Sequence, residues 1–221
     1  MIGTGGLTFL FLDEADTLNA LVARVVPGSD GDPGAQEMGV VTYIDRALSG
    51  AYREYQHAYR TAIRALNAFV RQEFGATFFE LDAADQDAII GRLEKGDASG
   101  IDAADGRDLF MMVWAHTVEG MLSDPTYGGN RDAAGWRLIG FPGAHYGYTA
   151  EDMRYGKDLT TKPMVTLTEI QTLAREQPEL FFHRTGPTSP AAPAATPPAE
   201  TTGEAPVLQG ASPTDSNGGS Q

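Results

Sequence analysis

The chain reads as all-α: a compact helical domain with a long ordered loop region rich in glycine and aromatic residues, then a disordered C-terminal tail. Three observations predict this. Apolar residues recur at three- and four-residue steps along six segments. No convincing run alternates with period two, and no segment repeats. Residues 185–221 hold seven of the thirteen prolines and no aromatic, too little apolar surface to offset the entropy of ordering. The expected boundaries are a helical domain over 7–184 and a tail over 185–221.

The elements follow in order. Asp13 stands where an N-cap would, with Leu18, Leu21, Val22 and Val25 at helical spacing behind it. Pro27 and the run GSDGDPG stop that helix. Val40, Val41, Ile44 and Leu48 fit a second short helix ended by Gly50. Tyr52, Tyr55, Tyr59, Ile63, Leu66 and Val70 mark one long helix closing at Gly75. Asp82 can cap a helix through Ile89, Ile90 and Leu93. The segment DLFMMVWAHTVEGMLSD is apolar on most of its circumference, which predicts the central helix. After Pro125 the helical pattern lapses until a last short candidate over 167–174.

Charge narrows the function classes. The 221 residues carry a formal net charge of -14, and the tail's Glu200, Glu204 and Asp215 leave the body at -11. An acidic body argues against nucleic acid, which needs a basic face, and against direct attachment to anionic lipid. The absence of cysteine excludes disulfides, thiolate catalysis, Cys-ligated zinc, Fe–S clusters and covalent c-type haem in this chain. No apolar run approaches the ~20 residues that span a bilayer. The first residues show neither a basic n-region nor a twin arginine, so no export signal is expected in the sequence as it stands.

Candidate chemistry is sparse. The histidines are His57, His116, His145 and His183. Glu54 and His57 form the E-x-x-H pair that di-iron helical bundles use twice, but His116 is followed by Glu119 in the reverse order and Val113 stands where a glutamate is needed. The simpler reading puts Glu54 and His57 on a solvated helix face and makes His116 a satisfied core or interface residue. Tyr52, Tyr55 and Tyr59 read as packing rather than a redox relay. The acidic run DAADQD reads as a helix N-terminus. No G-x-G-x-x-G, Walker A or G-x-S-x-G pattern occurs. No catalytic, cofactor-binding or metal-binding residue is therefore expected in this chain.

One segment resists this grammar. Residues 128–149, GGNRDAAGWRLIGFPGAHYGYT, hold six glycines and four aromatics: Trp136, Phe141, Tyr146 and Tyr148. Four such side chains left exposed together exceed what soluble monomers usually tolerate. The segment is either an ordered flap over the chain's own helices or a docking surface whose aromatics fill a partner's pockets. The residues alone leave both open.

The run Gly135-Trp136-Arg137-Leu138-Ile139-Gly140-Phe141-Pro142-Gly143, followed by Tyr146, Gly147, Tyr148 and Thr149, resembles the signature of the gluconate 2-dehydrogenase small-subunit (subunit 3) family. Arg24-Val25-Val26-Pro27, the run Pro33-Gly34-Ala35-Gln36-Glu37-Met38-Gly39-Val40-Val41, and Ile44-Asp45 agree with it in order. The resemblance covers about Leu12 to Glu151. It implies a small helical accessory subunit of a dehydrogenase acting on sugars, sugar acids or polyols. It further implies a large partner subunit of the glucose-methanol-choline class that holds FAD, and in many cases a multihaem c-type cytochrome. A periplasmic location follows, membrane-associated through those partners, with the cytoplasm as the alternative. No catalytic residue is implied here. On this reading Trp136, Leu138, Phe141, Pro142, Tyr146 and Tyr148 carry or organise docking, while Gly135, Gly140 and Gly143 shape the backbone. Departures are the missing twin-arginine segment before Phe9 and the tail, which the resemblance does not cover. The rival readings are a ferritin-like metal-binding protein and a free-standing helical protein.

Overall fold

A computed structural model describes residues 6–98, 101–145 and 147–178 of the chain. Tyr146, His183 and the predicted tail lie outside the described residues. The fold is all-α. Its helices are α1 (Leu12–Val25), α2 (Val40–Ser49), α3 (Gln56–Phe74), α4 (Ala83–Lys95), α5 (Ala103–Leu122), α6 (Ala134–Ile139) and α7 (Leu167–Glu176). Among the described residues there is no strand, and the extended pairing is limited to two isolated bridges.

Helix α5 is central, as its all-round apolar pattern predicts: it packs against α1, α2, α3, α4 and α6. Leu109 and Val113 on α5 join Leu18 and Val22 on α1, Ile44 and Leu48 on α2, Ile63 and Leu66 on α3, and Ile89 and Leu93 on α4 in one core. Two ion pairs stitch the rim, Arg24 to Asp87 at 2.7 Å between α1 and α4, and Arg92 to Glu73 at 2.8 Å between α4 and α3. Both are partly exposed, so they hold register more than they stabilise.

The helix starts differ from the sequence pattern in three places. Helix α1 begins at Leu12, not behind an Asp13 cap, because Phe11 is extended and the Glu14 carboxylate accepts its N–H at 3.1 Å. Asp13 instead sits in the first turn, where its charge suits the helix dipole. The predicted long helix starts only at Gln56. Gly50 ends α2, the Tyr52 N–H donates back to the Ala47 carbonyl at 2.8 Å, and the Gln56 amide donates to the Leu48 carbonyl at 2.7 Å. Tyr52 and Tyr55 therefore precede α3 in a tight turn. Helix α5 extends back to Ala103, one turn before its apolar run. At α4 the sequence pattern holds, since Asp82 accepts the Asp85 N–H at 2.9 Å.

The chain before α1 is fixed by one buried carboxylate. Asp45 on α2 is inaccessible to solvent and accepts the N–H groups of Thr8, Phe9 and Leu10 at 2.6, 2.9 and 2.8 Å, with the Thr8 hydroxyl at 2.8 Å. Burial alone would push this carboxyl up. The amides of Leu10, Thr8 and Phe9 outweigh it and hold the carboxyl below its ordinary value. A depressed folded value means the stabilisation is complete above about pH 4 and is lost as pH falls through the folded value. Asp45→Ala is therefore expected to lower stability by about 2–4 kcal/mol at pH 7 in urea titrations. The gap from the unsubstituted chain should narrow as pH drops below about 4.

Candidate functional site

The segment after α5 is not irregular. It is built around the carbonyls that the end of α5 leaves without helical donors. The Trp136 indole Nε1 donates to the Leu122 carbonyl at 2.8 Å, and Asn130 Nδ2 donates to the Ser123 carbonyl at 2.8 Å. Asn130 Oδ1 then accepts the Gly135 N–H at 2.8 Å. Asn130 is fully buried and left-handed at φ 47°, a conformation asparagine tolerates better than most residues. Asp132 and Ala133 also take positive φ, which turns the chain sharply into α6. The sequence pattern predicts no helix here. The short α6 forms because its neighbours hold it, not through a periodic apolar face of its own.

Close approach explains two of the glycines. A Cβ on Gly135 would collide with the Met121 carbonyl oxygen, and one on Gly129 with that of Gly120. Gly140 ends α6 in the left-handed region at φ 67°, and the Phe141 N–H donates to the Trp136 carbonyl at 2.9 Å. Gly143, at φ 95°, lies against Val165, whose carbonyl accepts the Ala144 N–H at 2.6 Å.

On this base the predicted docking residues divide. Trp136 is only 4% exposed, so it organises the segment from beneath. Leu138, Phe141 and Tyr148 stand between 39% and 46% exposed. Phe141 meets the Trp136 ring edge-on at 5.0 Å. Pro142 is half-buried, and its carbonyl lies 2.9 Å from His145 Nε2. Lys162 Nζ stands 5.2 Å over the Tyr148 ring. One aromatic of the segment is thus buried and two are exposed.

Sequence reasoning missed several other exposed apolar side chains. Ile139 is 60% exposed, and the solvent side of α5 presents Met111 and Trp114 at 54% and 46%, with Leu122 exposed at its end. The signal was available, because a helix apolar all round but covered on one side must expose the rest.

The histidine candidates resolve separately. Glu54 lies in the turn before α3 and His57 in its first turn, both exposed. His116 is buried, with Nδ1 sharing a 2.8 Å hydrogen bond with the Tyr59 hydroxyl and Tyr52 stacked on its ring at 4.7 Å. Glu119 accepts the Tyr52 and Tyr43 hydroxyls at 2.9 and 3.2 Å. Burial pushes His116 below its ordinary value, so the ring is neutral. Burial first, and then the Glu119 charge, push the Tyr43 and Tyr59 phenols up. These groups satisfy one another as packing. Among the described residues no group of three His, Asp or Glu side chains is placed to hold a metal ion.

A family model described as gluconate 2-dehydrogenase subunit 3 matches residues 12–143. The match takes in α1 to α6 with Phe141, and ends at Gly143, before Tyr148. No curated protein and no solved structure gives a match.

The crowding at Gly135 gives a direct check of this base. Gly135→Ala is expected to cost more than about 2 kcal/mol, since backbone must move to admit the methyl group. Gly147→Ala meets open space and should change stability by less than about 0.5 kcal/mol. Thermal melts of the two variants compare them.

Proposed function

The chain belongs to the gluconate 2-dehydrogenase subunit 3 family, and on that premise we propose that it is a non-catalytic accessory subunit that docks on an FAD-containing dehydrogenase large subunit. The single observation that supports this is the run of exposed apolar side chains Leu138, Ile139 and Phe141, followed by exposed Tyr148, on a base that buries Trp136. Such a group on an otherwise acidic, soluble surface is costly unless a partner covers it. Its aromatic and aliphatic anchors, presented by a fixed backbone, suit a partner's pockets with little ordering cost.

In this reading the flavin and the oxidation of the substrate CH–OH group belong to the partner, of the glucose-methanol-choline class. This chain's residues bind, exclude water from the contact and bias the partner toward its folded state. A subunit that binds only the folded, flavin-loaded partner stabilises it by mass action. A multihaem c-type cytochrome would take the electrons, and the complex would sit at the periplasmic side of a membrane, held there by the partners. Among the described residues no helix is long and apolar enough to cross a membrane.

The tagged chain purified from its native cell is expected to bring down a flavoprotein in near-equal amount, seen by its flavin absorbance. Leu138→Glu combined with Ile139→Glu changes only exposed side chains. It should leave the helical circular dichroism intact and lose the flavoprotein. Equal yield of flavoprotein with the double variant would rule out this surface as the docking site.

A further inference from the structure

A separate groove of about 560 Å³ runs between α3 and the first half of α5. Its α3 wall is made of small side chains, Ala58, Ala62 and Ala65, at helical spacing. Its α5 wall carries Leu109, Met111 and Met112. Tyr55 and His57 stand at one end, and the charged residues of the rim are Asp102, Asp105 and Asp108. Among the described residues no lysine or arginine lines it. The groove therefore has an apolar floor and a negative edge.

We propose that this groove is a second docking site, fitted to one amphipathic helix of a partner that carries Lys or Arg along its flank. Three features select that occupant. The lining from Tyr55 to Ala65 takes in eleven residues of chain, ten helical rises of about 1.5 Å, so it accommodates about 15 Å, or nearly three turns, of a third helix. Alanines on the floor let that helix approach closely, and the methionines adapt to its apolar ridge. An extended peptide would leave backbone N–H and C=O groups unpaired over the floor, because the described residues offer no sheet edge to bond them, whereas a helix satisfies its own. The rim aspartates then choose the flank, since a basic flank is attracted and an acidic one repelled.

This inference goes beyond the α6 surface and stands or falls without it. Its test uses the full chain and two labelled peptides of about eighteen residues, long enough to be helical. They share one Leu/Ala face and differ in carrying Lys or Glu along the flank. Fluorescence anisotropy should show the Lys peptide binding at least about tenfold more tightly than the Glu peptide, with the preference shrinking as salt rises. Asp105→Lys with Asp108→Lys should invert the preference. Ala62→Trp, which fills the floor, should weaken the Lys peptide by about tenfold or more. The proposal is overturned if Asp13→Lys with Glu94→Lys, both exposed and outside the groove, acts as strongly as the rim pair, for then net charge alone attracts the peptide. It is also overturned if Ala62→Trp leaves binding unchanged. A dimer of the unsubstituted chain that Ala62→Trp dissociates would assign the groove to a second copy instead.

Discussion

The carbonyl groups at the end of α5 are the constraint on which the candidate site depends. A helix leaves its last carbonyls without partners, and at a buried end each needs a donor. Trp136 and Asn130 provide them for Leu122 and Ser123. To bring those donors in, the chain must pass within van der Waals distance of the Gly120 and Met121 carbonyls, which excludes a Cβ at positions 129 and 135. It must also turn left-handed at Asn130, Asp132 and Ala133, at a cost of about 1–2 kcal/mol for each residue that is not glycine. That cost is tolerated because the turn satisfies the Leu122 and Ser123 carbonyls and the Gly135 N–H at once and places α6.

The same segment ties the two stretches that carry the family resemblance. The Arg131 N–H donates to the Met38 carbonyl at 3.0 Å, just before Gly39 opens α2 in the left-handed region at φ 74°. Asp45, one turn further along α2, gathers the amides before α1. Asp124 reaches the other way and accepts the Leu167 N–H at 2.8 Å, which fixes the start of α7. A run of short polar contacts thus connects α1, α2, the end of α5, α6 and α7. Leu138 and Ile139 stand exposed above it, while Phe141 joins it through its N–H and its ring against Trp136.

Much of the fold was legible in the sequence, because α1 to α5 bury one face each and their spacing records it. The exact starts were not. Glu14 caps Phe11 through its side chain, and Gln56 reaches back to Leu48, contacts that carry no periodic signature. Helix α6 was hidden for a different reason. Its six residues are held by Asn130, the Leu122 carbonyl and two crowded glycines, all tertiary effects that override local preference. The motif residues lie on and around α6. What they did not reveal was the split between Trp136, which is buried, and Leu138, Phe141 and Tyr148, which are presented, or the part of Ile139. The exposed side of α5 was missed because an apolar circumference marks a central helix without showing which of its residues stay uncovered.

The α6 surface is prebuilt on α5, and the proposal is that a partner then covers it. Amide hydrogen exchange across residues 134–145, measured on the isolated chain and on the purified complex, tests it most directly. Slow exchange of the Gly135, Phe141 and Ala144 amides is expected in the isolated chain, with further slowing over Leu138 to Phe141 in the complex. Fast exchange throughout the isolated segment, or no change on complex formation, would contradict it.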